Sequence, residues 1–301
     1  KVPAAAASYL VEGRHLASVG RHADAQDRFE ALAKDFGGEP SLADFASLGL
    51  YEASEQAALQ APTAGEGKLK DAVELLERFT ETYPLSPLLT RVTLRRAEIL
   101  RSLGQFDKAL LVLDGLIRDR PTDAARPQAE MARADALFGL AQLRRDRIGQ
   151  LDRQRIARAA AAYERIAEAW SKDSADTQTE AWYKWALTLT ERAKAETGPE
   201  AAASRAEARK VLLRALAAMR GERPGEAAAR FSSEGRLWLA RSVLLMGELC
   251  EQDGDRAEAI AAYSIIVTVN HGLTNGLSRL PGQATAESKL AALRGSSSTS
   301  K

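Results

Sequence analysis

The sequence predicts an all-α chain built from repeated helix pairs. Three observations carry this reading. The chain is rich in Ala, Leu, Arg, Glu and Lys, the strong helix formers, and holds no run of alternating β-branched residues. Four segments align on a glycine with the same residue types at the same offsets. Proline and glycine recur where those segments end, as they do at helix termini.

The alignment starts from Gly20, Gly67, Gly104 and Gly254. Five residues on stands Ala25, Ala72, Ala109 or Ala259. Nine on stands a large residue, Phe29, Leu76, Leu113 or Tyr263, and twelve on another, Leu32, Phe79, Leu116 or Ile266. Seventeen on comes Gly37, Pro84, Pro121 or His271. Seven before the glycine, three segments carry a small residue: Gly13, Ala97 and Gly247. Each position has a physical reason. The glycine closes one helix where positive φ is tolerated. The small residues let two helices approach, and the large residues nine and twelve on share one helical face. A proline stops the second helix, because the residue before it disfavours the helical region. Such a pair cannot bury its apolar face alone and must stack on further copies.

This pattern resembles the tetratricopeptide repeat. The match is good over Tyr9–Phe36, Thr93–Pro121 and Val243–His271. Phe45, Leu48 and Gly49 resemble the first helix of a second repeat, followed by an APTAGEG loop and Leu69–Pro84. Met131–Phe138 and Ala159–Ile166 resemble a divergent pair around Asp146–Arg153. Trp182, Trp185, Ala186 and Leu189 resemble a later first helix, with Ala208, Leu212 and Ala215 on its second. The resemblance implies a right-handed α-solenoid of about six helix pairs. They are expected at 5–37, 41–84, 88–121, 125–171, 176–219 and 234–271, within one domain over 1–294. After His271 the turn-rich GLTNGLSRLPG leads to an expected capping helix at 281–294, with Leu290 and Leu293 inward and Lys289 and Arg294 toward water. The Ser-rich tail at 295–301 is expected to be disordered.

Two junctions, ETYPLSP at 81–87 and RDRPTDAARP at 118–127, resemble those in bacterial cell-envelope repeat proteins, namely outer-membrane assembly lipoproteins and Tol-Pal-associated proteins. That resemblance implies a periplasmic or envelope location, with the cytoplasm as the alternative. The chain begins at Lys1 rather than Met, so a trimmed or processed product is expected, with any signal peptide or lipid anchor upstream. No stretch approaches the length of an apolar membrane span.

Composition narrows the function. Hydrophobic residues make up 45% of the 301 residues, enough for a sizeable core. The formal net charge of +1 argues against a general polyanion binder, so no nucleic acid is expected. The single cysteine, Cys250, allows no intrachain disulfide and reads as an inert core thiol. Phosphate-loop, nucleophile-elbow and HExxH patterns are absent, and GEGK at 65–68 reads as a loop. His15 and His22 lack a third ligand and read as solvated surface, so neither a metal nor a cofactor is expected.

The resemblance places a binding groove on the first helix of each pair. In this register it would include Arg14, Arg91, Leu94, Glu98, Arg101, Glu180, Tyr183, Arg241, Leu244, Glu248 and Glu251. Leu10 and Arg14 stand where chaperone-binding members carry Lys and Asn, which speaks against a carboxylate clamp. Trp182 and Trp185 are expected in the core, and Tyr183 toward a ligand. A second candidate is the Arg-rich stretch Arg144, Arg145, Arg147, Arg153, Arg155 and Arg158, which suits an anionic partner. The function expected is a non-enzymatic scaffold binding a protein or peptide segment. The alternatives are an anionic-surface binder and an enzyme domain on a solenoid.

Overall fold

The computed structural model describes residues 3–39, 42–50, 52, 65–169, 175–217, 231–271 and 279–295. The described residues are helical with no strand. In chain order the helices are α1 (Ala4–Ser18), α2 (His22–Phe36), α3 (42–50), α4 (Gly65–Thr82), α5 (Leu89–Ser102), α6 (Phe106–Asp119) and α7 (Arg126–Ile148). There follow α8 (Arg153–Ala169), α9 (Ala175–Lys194), α10 (Gly198–Ala217), α11 (Ser233–Gln252), α12 (Arg256–His271) and α13 (Gln283–Gly295). The start of the second expected pair at 41, the 61–64 part of APTAGEG, most of GLTNGLSRLPG and the tail beyond 295 lie outside the described residues. So do the last residues of the fourth and fifth expected pairs. No helix of the described chain is long and apolar enough to cross a membrane.

Three of the turns within the pairs share one construction. Gly20, Gly104 and Gly254 have φ of 81°, 70° and 79°. Each donates its N–H three residues back, to Ala17, Arg101 and Glu251. The following residue donates five back, from Arg21 to Leu16, Gln105 to Leu100 and Asp255 to Cys250. This double closure satisfies the carbonyls that a helix end leaves open. The carbonyl of that same residue then accepts the first bond of the next helix, from Ala25, Ala109 or Ala259. A three-residue link therefore turns the chain back on itself, and the paired helices run antiparallel.

The junctions between pairs also repeat. Tyr83 accepts from Ser86 N–H, and Ser86 accepts in turn from Leu89 N–H. Arg120, Asp123 and Arg126 form the same relay, as do Phe36, Glu39 and Leu42. Side chains reinforce two of the three: Ser86 Oγ accepts from Leu88 N–H at 3.1 Å, and Asp123 Oδ1 from Ala125 N–H at 2.8 Å. Short polar side chains make such local turns readily, which accounts for Ser and Asp after the prolines.

Gly67 departs from the expected pattern. Gly65 opens α4 and Gly67 lies in its first turn, so GEGK is helix rather than loop. The register of Ala72, Leu76 and Phe79 survives because α4 simply begins earlier, where first-turn N–H groups need no helical partner.

Packing follows the offsets. The four alanines five residues after the aligned glycines are fully buried, and every large residue nine or twelve on is at most 8% exposed. The small residues explain how rings enter. A side chain at Gly13 would come within 2.8 Å of the Phe29 ring, and one at Gly49 would overlap the same ring from α3. Phe106 lies on Gly139 in the same way, and Tyr263 on Gly247.

The chain divides into two compact units, Lys1–Leu140 and Ala141–Lys301. In the first, α4 and α5 close over Leu48, Leu76, Phe79 and Val92, and α6 and α7 over Leu113, Leu116 and Ala129. In the second, α9 packs on α8, α10 and α11, and α12 lies between α11 and α13. Arg209 on α10 joins the α11–α12 turn through Asp253, Asp255 and Glu258, beside buried Cys250.

The C-terminal helix α13 packs on α12 with Ala286 and Leu290 buried and Leu293 half-buried. Asn270 anchors its approach. Its amide donates to Leu280 O at 2.9 Å and accepts from Leu280 N–H at 2.7 Å. Arg294 is exposed, as expected. Lys289 is turned to water only in part: it pairs with Glu251 at 3.0 Å and lies over the Tyr263 ring. Its aliphatic stem can cover the ring while the ammonium reaches a carboxylate.

Two predictions follow from this packing. Gly247→Ala should lower the stability of the second unit by about 1–3 kcal/mol, because the Tyr263 ring must shift. Gly115→Ala on α6, where a Cβ meets only the tip of Arg118 at 3.9 Å, should instead raise stability by about 0.5–1 kcal/mol. Urea melts of both variants give the signs directly.

A further prediction concerns acid. Burial acts to raise the Glu251 pKa, but hydrogen bonds from Tyr263 and Lys289 outweigh it and hold the carboxyl below the usual carboxylate range. A depressed carboxylate adds stability above its unfolded pKa and loses it as pH falls through the lower folded value. Amides of α13 should therefore lose protection, measured against their intrinsic exchange rates at each pH, once the pH drops below the ordinary Glu range. Glu251→Gln should abolish that acid step, and an unchanged step would contradict the role given to Glu251.

Candidate functional site

Helix α5 presents Arg91, Leu94, Arg95, Glu98 and Arg101 at helical spacings of three and four, which puts them on one face. This face borders a groove of about 1110 Å³ in the first unit. The end of α1, at Ala17 and Ser18, closes one side with His22, Leu48 and Glu52. Asp123, Ala125, Gln128 and Ala132, at the start of α7, form the other. Four expected groove residues, Arg91, Leu94, Glu98 and Arg101, thus come together. Arg14 is exposed on α1 and lies outside the residues that line this groove.

The groove's charges are matched by neighbours. Arg91 reaches Glu52 at 3.0 Å, Arg95 pairs with Glu98, and Arg101 reaches Asp135 at 2.8 Å. Asp123 accepts from Thr90 Oγ1 at 2.6 Å as well as from Ala125 N–H. The Thr90 bond first, then the backbone bond, holds its carboxyl below the usual range. Leu94 is half-buried, rooted against Leu113, Leu116 and Ala129, with part of its side chain left to the groove.

His22 corrects the sequence reading. It is not solvated surface: it is 6% exposed, and neither ring nitrogen has a hydrogen-bond partner among the described residues. It stands two residues after its turn glycine, the offset at which Phe106 packs on Gly139. The position is a packing position, and the imidazole fills it as a ring.

In the second unit the expected residues have varied surroundings. Tyr183 is half-buried and lies against Trp238, ring centres 5.5 Å apart. Burial pushes its hydroxyl pKa up. Arg241 and Lys184 both lie over the Trp238 ring, at 4.8 and 5.4 Å, an arrangement that attracts a cation to the indole face. Glu180 pairs with Lys184 at 2.6 Å with both side chains largely covered, so it helps to build this cluster. Trp185 is buried and Trp182 half-buried. Leu244 is half-buried beside Gly282, Glu248 is exposed, and Glu251 is held by Tyr263 and Lys289.

The Arg-rich stretch is partly neutralised. Arg144 and Arg155 both bind Asp152, whose carboxyl is held below the usual range by the Arg155 backbone N–H and these two side chains. Arg145 pairs with buried Glu191 on α9. Arg147, Arg153 and Arg158 are exposed, and no ion pair holds them among the described residues.

The sequence reading missed Trp238, Arg95, Glu52 and Asp123. For Trp238 a signal existed, since it precedes Arg241 by three residues on one helix. Glu52 and Asp123 enter from other elements, and only the fold brings them to α5.

No family model matches this sequence, and no curated protein matches it. Among solved structures the chain is similar to a putative kinesin light chain with nearly identical TPR-like repeats from Podosopora anserina. There the identity is 14% and the TM-score 0.47, over 73% of this chain and 97% of that one. It is also similar to a tetratricopeptide repeat protein from Parabacteroides merdae. That match has 12% identity and a TM-score of 0.41, over 97% of this chain and all of the other.

The environment of His22 yields a test. Removing both unmet ring nitrogens while keeping the volume should help folding, so His22→Leu should raise stability by about 1–2 kcal/mol. Thermal and urea melts measure it. A loss of stability would mean that the imidazole has a partner in solution.

Proposed function

We propose that this chain is a non-enzymatic helical-repeat scaffold that binds a protein segment along the α5 groove. The observation that carries the reading is the groove itself. A half-buried leucine, Leu94, sits in a row of ion-paired side chains that borders a groove of about 1110 Å³. Recognition of this kind combines an apolar anchor with a polar rim. The Tyr183–Trp238–Arg241 cluster offers a second contact in the other unit. The ETYPLSP and RDRPTDAARP junctions support a place in bacterial cell-envelope assembly, with the periplasm as its compartment.

A photo-crosslinking side chain at Gln128, exposed on the groove wall, tests the reading in living cells. It should capture a discrete protein partner. The same group at Leu111, 76% exposed and away from the groove, should capture none. Equal labelling from both positions would contradict groove binding. Recovery of the complex in the cytosolic fraction alone would contradict the envelope placement.

A second reading rests on Arg147, Arg153 and Arg158, three exposed cations of one stretch that no ion pair holds among the described residues. They suit an anionic surface. Replacing all three with Ser should abolish binding to anionic vesicles, and unchanged binding would remove this reading.

A further inference from the structure

The groove's chemistry narrows the kind of segment it takes. Among the described residues that line it are three arginines and three carboxylates; five of the six sit in ion pairs, and Asp123 accepts from the Thr90 hydroxyl and the Ala125 N–H. An acidic ligand residue would have to break one of those ion pairs or lie unmatched, and a basic one would find only Asp123, whose carboxylate already accepts two hydrogen bonds. Covering an unmatched charge with a bound chain carries a desolvation penalty. An uncharged segment leaves every pair intact. It can set an apolar side chain on Leu94 and hydrogen-bond to the uncharged wall group Gln128. Buried His22, whose ring nitrogens have no hydrogen-bond partner among the described residues, lies at the α1 end of the same wall.

We propose that the α5 groove selects an uncharged peptide segment, an apolar residue flanked by Asn, Gln, Ser or Thr, and discriminates against acidic and basic motifs. The proposal rests on the reading that this groove binds a protein segment. Its balanced charges give no field to steer a charged partner, so affinity depends little on salt.

The test is selection of a phage-displayed library of random linear peptides on the whole chain, followed by binding titrations of the enriched peptides. The enriched sequences should be uncharged around an apolar residue. Their affinity should change by less than about threefold between low and physiological salt, the range over which screening of exposed charges sets in. Gln128→Lys adds one unmatched cation on an exposed site and leaves the core alone. Selection on that variant should recover acidic peptides that the natural sequence does not. Enrichment of acidic or basic peptides on the natural sequence, with a loss of about tenfold or more in salt, would overturn the proposal while leaving groove binding intact. Failure to enrich any peptide, or enriched peptides whose binding is unmoved by both Gln128→Lys and a bulky Ala132→Trp block, would overturn groove binding and the proposal with it.

Discussion

An aromatic ring laid on a glycine is the contact on which this architecture depends. Phe29 lies between Gly13 of its own pair and Gly49 of the next, Phe106 lies on Gly139, and Tyr263 lies on Gly247. A helix without a Cβ at the crossing point lets its neighbour approach and still receives a full ring. The ring buries a large apolar area, and the fit fixes how far one helix can slide along another. The positive-φ turn at Gly20 or Gly254 then brings ring and glycine opposite each other. Where the ring shrinks to leucine, as at Leu113, the partner becomes Ala97, which is also fully buried.

This packing determines what is left for recognition. The faces of the helices that meet are apolar, and the faces that border the groove carry charge. In the first unit that charge is consumed locally, with Arg91, Arg95 and Arg101 each held by a carboxylate. An exposed pair such as Arg91–Glu52 contributes little to stability. The larger effect of these pairs is on the surface potential, which they flatten around Leu94. The second unit is different. Among the described residues Arg241 lies over an indole rather than against a carboxylate, and Tyr183 completes the cluster. The two units thus offer chemically distinct surfaces built from equivalent helix positions.

The pairs with a turn glycine were legible in the sequence because turn, ring and small residue recur at fixed offsets. Gly67 misled for a simple reason: a glycine at the right offset need not be a turn, and here it belongs to the first turn of α4. His22 was misread because histidine is so often a surface residue, although its offset from Gly20 matches that of Phe106 from Gly104. The α5 residues Arg91, Leu94, Glu98 and Arg101 were named from the repeat resemblance together with helical spacing. Their partners were not: Glu52, Asp123 and Asp135 lie on other elements, and the sequence does not show that they reach α5. The same holds for Arg145 and Glu191, paired across 46 residues, and for Lys289 and Glu251, paired across 38. Charge clusters read along the sequence overstate the free charge of the folded surface, because folding supplies the counter-charges.

The most direct measurement of the ring-on-glycine constraint is a double-mutant cycle at Gly13 and Phe29, where a Cβ would come within 2.8 Å of the ring. Gly13→Ala should destabilise the natural protein and be close to neutral once Phe29→Leu has removed the ring. The predicted coupling is about 1–2 kcal/mol, well above the few tenths seen for independent sites. Additive effects of the two substitutions would show that the helices meet for some other reason, and would contradict the account.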